Sequence, residues 1–138
     1  MGRILVGNCF DMLQTIEQHS VQTCITSPPY WNLRDYEQEE QLGLEKTPEE
    51  YTQHLVEILR ELKKVLRTNG TLWLNLGDTY FGAKGGHYSS DNSFTNDTTG
   101  SKYRMHLKAP EKHSFLKTKD LVGIPWMVAR ELQKDGWY

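Results

Sequence analysis

No apolar run in this 138-residue chain approaches the length of a membrane span, and its N-terminus carries no apolar signal region. A soluble, cytoplasmic protein with no membrane partner is therefore expected. Cysteine is scarce. Cys9 and Cys24 are the only two, without C-x-x-C spacing, so buried structural thiols are expected rather than a redox pair or a metal centre. Ser27 has no histidine near it in sequence and lies outside any G-x-S-x-G elbow, which removes a serine-hydrolase reading. Surplus positive charge is missing too. Sixteen Lys and Arg stand against 18 Asp and Glu, a net charge of −2, which argues against nonspecific nucleic-acid binding by the whole surface.

What is present is a globular composition, 37% hydrophobic and 25% charged, sufficient for one domain with a modest core. The charges are segregated. Residues 35–50 hold seven acids against Lys46 alone, and residues 102–119 hold six basic side chains against Glu111 alone. The basic segment is either a local phosphate-contacting surface or a solvated loop.

Periodicity places the elements. RILVG at 3–7 reads as a short buried strand, and CFDMLQTIEQ as a short helix with Phe10, Leu13 and Ile16 near one face. VQTCIT at 21–26 is a second buried strand, ended by Pro28 and Pro29. Thr47-Pro48-Glu49-Glu50 is a capping box with proline at the first helical position. Tyr51, Leu55, Ile58, Leu59, Leu62 and Leu66 follow on one face, and Asn69-Gly70 supplies a stop. TLWLNLG at 71–77 is a third strand. Residues 82–118 lose the apolar pattern and are expected to form a long mobile loop. Pro125 then opens a helix carrying Trp126, Val128, Ala129 and Leu132 toward the core, Asp135-Gly136 ends it, and Trp137-Tyr138 reads as the start of a strand.

Strands alternating with helices imply an α/β fold with a parallel sheet, in which ligands bind beyond the carboxyl ends of the strands. Asn8-Cys9, Ser27-Pro28-Pro29-Tyr30 and Gly77-Asp78 occupy three such ends. Two prolines without N–H groups make a stiff backbone that presents carbonyl acceptors, with a hydroxyl at one end and an aromatic face at the other. That combination suits a planar ring bearing an amino group.

TSPPYWNLRDY closely resembles the catalytic motif of the DNA amino-methyltransferases, whose pattern is (D/N/S)-P-P-(Y/F/W) and whose Ser-Pro-Pro-Tyr form is typical of N4-cytosine enzymes. VGNCFDML, GTLWLNLGDTY and KDLVGIPWMVARELQKDGWY resemble flanking blocks of that family in the same order. The resemblance implies a Rossmann-like, mostly parallel sheet, S-adenosylmethionine as methyl donor, and double-stranded DNA as partner. It also implies direct transfer to the exocyclic N4 of a flipped cytosine, as in restriction-modification systems of prokaryotes or phages. Ser27, Pro28, Pro29 and Tyr30 would be catalytic. Asn8, Cys9, Phe10 and Ser27 would contact the cofactor, and Arg34, Lys102, Arg104 and Lys108 the DNA. No Pro-Cys nucleophile of the cytosine-C5 type is present.

Some alternatives stay open. Asn8 either contacts adenine or caps a helix, Asp78 either lines the base pocket or shapes a turn, and Arg34-Asp35 is either an ion pair or a hinge on the DNA side. The family's F-x-G-x-G cofactor motif has one candidate, FGAKGG at 81–86, but HYSSDNSF after it cannot form the amphipathic helix required. In the permuted beta class that motif follows the catalytic one. Residues 1–138 are therefore expected to be the catalytic-motif half of the domain, completed by a missing C-terminal half or a second subunit. An N6-adenine enzyme and a noncatalytic DNA-binding or assembly fragment are the alternatives.

Overall fold

The computed structural model describes residues 2–82, the backbone of 104–105, and 112–138. Its framework is a two-stranded parallel sheet of β1 (Val21–Thr26) and β3 (Leu66–Leu74), joined through the long helix α2 (Pro48–Val65). A short helix, α1 (Cys9–Gln14), precedes β1, and α3 (Ile124–Lys134) packs on α2. A second pairing joins β2 (Arg34–Asp35) antiparallel to β4 (Arg104–Met105). The α/β character and the parallel crossover agree with the sequence pattern. However, β1, expected to be buried, has no fully buried residue. Val21, Cys24 and Thr26 are half-buried and Gln22, Thr23 and Ile25 exposed, since nothing among the described residues covers its outer face.

Helix α2 forms for the reasons its sequence states. Thr47 Oγ1 accepts the Glu50 N–H at 3.1 Å, and Glu50 Oε2 accepts the Thr47 N–H at 3.3 Å. Pro48 takes the first turn, where its missing N–H costs nothing. Tyr51, Leu55, Leu59 and Leu62 recur one turn apart and are all buried, forming the centre of the core. The helix stops earlier than Asn69-Gly70. Leu66 is already extended, and the chain runs straight into β3. Asn69 and Gly70 lie instead where the register slips between the Val21–Leu66 and Thr23–Thr71 pairs. A Cβ on Gly70 would meet the Arg67 carbonyl oxygen at 2.9 Å, so glycine suits this close approach.

Three other expectations are corrected. Residues 3–7 form no strand, and Ile4 and Val6 are 89% and 88% exposed, because this stretch meets no strand edge among the described residues. In α3, Ile124, Val128 and Leu132 make the buried stripe. Trp126 stands two positions on from Ile124, about 200° around the helix, and is exposed, as is Ala129. Trp137-Tyr138 is no strand. The Trp137 N–H returns to the Leu132 carbonyl at 3.0 Å, and its ring packs against the core beneath Lys63. The expected end of α3 is observed, with Gly136 at φ 86° and Arg60 of α2 holding Asp135. Most of the 82–118 loop lies outside the described residues. No helix among the described residues is long and apolar enough to cross a membrane.

Candidate active site

The Ser27–Tyr30 turn leaves the carboxyl end of β1 and is fastened at its start to the neighbouring strand, with the Asn75 N–H donating to the Thr26 carbonyl at 2.9 Å. Ser27 is exposed, while Pro28, Pro29 and Tyr30 are half-buried. The Ser27 hydroxyl and the Tyr30 phenol meet across the turn at 3.4 Å. The Tyr30 ring rests on the backbone of Gly77, where a Cβ would come within 2.5 Å of Cδ2. Gly77 thus joins the site by making room for the ring.

Behind the turn lies a network that the sequence, read only as an acidic stretch, did not disclose. The buried Tyr51 hydroxyl of α2 donates to the Pro29 carbonyl at 3.0 Å. Trp31, a core residue, donates its Nε1–H to the Glu45 carbonyl at 3.0 Å, and the Asn32 N–H donates to the Gly43 carbonyl at 2.8 Å. The Glu45 carboxylate accepts the Gly43 N–H at 2.9 Å and faces His54 Nδ1 at 3.1 Å. Gly43 itself, at φ 98°, lies so near the Tyr30 carbonyl that a Cβ would approach it to 2.8 Å. Burial, then the Glu45 carboxylate, then Tyr30 push the Tyr51 hydroxyl well above the ordinary tyrosine range, so it stays protonated as a donor. The legible signal was Tyr51 itself, a polar-tipped residue on an otherwise aliphatic helix face.

Two recesses open beside the turn, and Glu45 and His54 of the network line the larger one. A groove of about 1350 Å³ runs between Gly7, Asn8, Cys9, Phe10 and Leu13 on one wall and Cys24, Thr26, Ser27, Pro28 and Pro29 on the other, floored by Leu55, Ile58, Leu59 and Leu62 of α2. A smaller recess of about 290 Å³ is bounded by Ser27–Tyr30, Leu33, Arg34 and Tyr36. Ser27, Pro28, Pro29 and Tyr36 belong to both, so this part of the motif is a shared wall.

The expected site residues fall into place unevenly. Asn8 caps α1, its Oδ1 accepting the Phe10 N–H at 2.9 Å, while also facing the groove. Cys9 is exposed, contrary to the expectation of a buried thiol, and Cys24 is half-buried with its thiol pKa raised by burial. Asp78 lies apart from both recesses. Its Oδ1 accepts the N–H groups of Thr79, Gly123 and Ile124 at 2.9–3.1 Å, so it shapes the entry to α3. Arg34 lines the smaller recess. Gln41 braces the same loop, donating to the Arg34 carbonyl at 2.7 Å and accepting the Tyr36 N–H. The backbone of Arg104 pairs with Asp35 in the β2–β4 ladder, next to that recess. Lys102 and Lys108 lie outside the described residues, as does FGAKGG beyond Gly82.

Comparison with known proteins fits this arrangement. Residues 21–132 match the model of the DNA methylase family, N6_N4_Mtase. The chain is 41% identical over 132 residues to the type II methyltransferase M.Cfr9I of Citrobacter freundii, covering 96% of this chain and 42% of that protein. It is 44% identical to M.XycI of Xanthomonas campestris pv. cyanopsidis, with the same coverage of each chain. To M.SmaI of Serratia marcescens it is 39% identical, covering 99% of this chain and 44% of that protein. The chain thus spans less than half the length of these curated relatives. No solved structure gives a significant match. With a matched segment that contains the proline turn, both parallel strands and nearly all of α3, the chain belongs to the DNA methylase family of amino-methyltransferases.

Proposed function

We propose that this chain carries the catalytic-motif half of a DNA amino-methyltransferase domain that moves a methyl group from S-adenosylmethionine to the N4 nitrogen of a cytosine turned out of the duplex. The observation that carries this reading is the shared wall. A two-substrate transfer needs both reactants against one rigid feature, and Ser27–Pro29 borders a large groove on one side and a small recess on the other. The groove is larger than a usual cofactor pocket, and its wall offers an amide at Asn8 and a part-exposed ring at Phe10, a donor set suited to an adenosine. Asn8, Cys9, Phe10 and Ser27 would hold the cofactor, which when bound supplies an electrophilic methyl on a sulfonium sulfur.

The chain's own residues then do the positioning. The Tyr30 face stacks the base, and the Ser27 hydroxyl and Pro28 carbonyl accept hydrogen bonds from its amino group, orienting the nitrogen lone pair. Methylation of the amino group would release one N–H proton. Ser27 is exposed, so that proton has a hydroxyl beside it and water beyond. Arg34 at the smaller recess, with Arg104, Lys102 and Lys108 of the basic segment, is proposed to meet DNA phosphates. The bare side of the sheet, where Ile25 and Trp73 are 80% and 65% exposed, supports placing the further elements of such a domain there, from the same chain or a second subunit. An otherwise Rossmann-like sheet would then surround β1 and β3.

The test incubates the protein of the full open reading frame with isotopically labelled S-adenosylmethionine and defined duplexes, then identifies the modified nucleoside. N4-methylcytosine is expected, and Ser27→Ala reduces its formation. Recovery of N6-methyladenine alone shifts the substrate to adenine. Cofactor and DNA binding without any methylated nucleoside supports the noncatalytic reading instead.

A further inference from the structure

We propose that Tyr51 is a positioning residue for methyl transfer. Its hydroxyl fixes the direction of the Pro29 carbonyl, and with it the presentation of Ser27, Pro28 and Tyr30 to the two recesses. The inference rests on the methyl-transfer reading and names a residue outside the motif as part of its machinery.

The need arises from the motif's own chemistry. Pro28 and Pro29 have no N–H groups, so the Ser27–Pro28 and Pro28–Pro29 peptide units have no donor with which to join a ladder, and only their carbonyls can be held. The turn must therefore be oriented from outside. Upstream, the β1–β3 ladder runs to the Thr26–Leu74 pair, and Asn75 fastens the Thr26 carbonyl. Downstream, Trp31 and Asn32 are held by Glu45 and Gly43. Between these anchors, Tyr51 reaches the proline backbone, from a fully buried position on a rigid helix, at 3.0 Å. The bond also selects an acceptor. With the Pro29 carbonyl engaged on the core side, the acceptors offered to a substrate amino group are the Pro28 carbonyl and the Ser27 hydroxyl. The turn is thus held from α2, while Ser27, Pro28 and Pro29 remain on the walls of both recesses.

The experiment compares Tyr51→Phe with Thr52→Val in the full-length protein. Thr52 is the neighbouring buried hydroxyl, and it donates to the Pro48 carbonyl at 2.8 Å without touching the motif. Both variants lose one buried hydrogen bond, and thermal unfolding checks that both fold. Single-turnover methyl transfer, cofactor Kd and hydrogen exchange of the Asn32 amide, which donates to the Gly43 carbonyl, are then measured. Tyr51→Phe is expected to slow transfer about tenfold or more with cofactor Kd within about twofold, and to speed exchange at the Asn32 amide. Thr52→Val is expected to leave all three unchanged. A Tyr51→Phe rate near wild type, an equal loss in Thr52→Val, or unchanged exchange would overturn the proposal. A wild-type protein that methylates no nucleobase removes the methyl-transfer reading, and the exchange measurement alone then decides whether Tyr51 holds the turn.

Discussion

The two sides of the β1–β3 sheet are treated very differently by the chain. On the α2 side, Cys24, Leu72 and Leu74 pack toward a core in which Tyr51, Leu55 and Leu59 are nearly inaccessible to solvent. On the opposite side, the register pair Ile25–Trp73 stands largely in solvent. Parallel sheets are normally covered on both faces. Among the described residues, the Ser27–Tyr30 turn is supported by α2, the 42–45 loop and the end of β3 near Asn75 and Gly77, and not by any element packed on the open face. Its rigidity comes from those elements.

The largest effect that tests this contrast is expected at Leu55. Leu55→Ala removes a fully buried side chain beneath the groove and should destabilise the protein by about 2–5 kcal/mol, read from denaturant unfolding. If the α2 side carried little of the fold, the loss would be far smaller. Gly77→Ala comes next, since its Cβ would press on the Tyr30 ring. Methyl transfer should fall about 10²-fold through misplacement of that ring, while unfolding changes less than in Leu55→Ala. A normal rate would show that the ring's seat on Gly77 is irrelevant.

Alkaline titration gives a third, smaller effect. The Tyr51 hydroxyl ionises above its ordinary value near 10 in the folded state. The neutral form is favoured by folding, so this contribution to stability is complete below pH about 10 and is lost as pH rises beyond it. Ultraviolet titration should show a late-ionising tyrosine component, and Tyr51→Phe should abolish it. The smallest change is expected at the open face. Ile25→Ala should alter stability by about 0.5 kcal/mol or less, because that side chain leaves little water on folding. A loss comparable to that in Leu55→Ala would mean the face is covered in solution.

Much of the fold was legible because it depends on local chemistry. The Thr47–Glu50 capping box, the aliphatic face of α2, β1 and the glycine stop of α3 are each set by a few neighbouring residues, and each is observed. The misreadings share a different cause. RILV has strand-like residues, but a strand exists only where a neighbouring edge accepts its hydrogen bonds. Asn69-Gly70 carries a helix-stop signal, yet burial of Val65 and Leu66 ends α2 sooner. The site divides in the same way. Ser27–Tyr30 was recognisable as a motif, and Asn8 and Phe10 were placed beside it. Gly43 and Glu45 were missed, and Gly77 and Tyr51 were placed at a strand end and on the α2 face without their roles, because those roles depend on what they touch many residues away.

The sequence by itself determined that a stiff, donor-free turn with a hydroxyl and an aromatic ring would end a strand, since proline stereochemistry and β-branched runs act over a few bonds. Only the tertiary structure decided which way that turn faces. The direction of the Pro29 carbonyl is set by a hydroxyl 22 residues further along the chain, and the seat of the Tyr30 ring by the missing side chain of Gly77. Neither contact has a local sequence signal, because each depends on two separate strand ends and a helix being packed together.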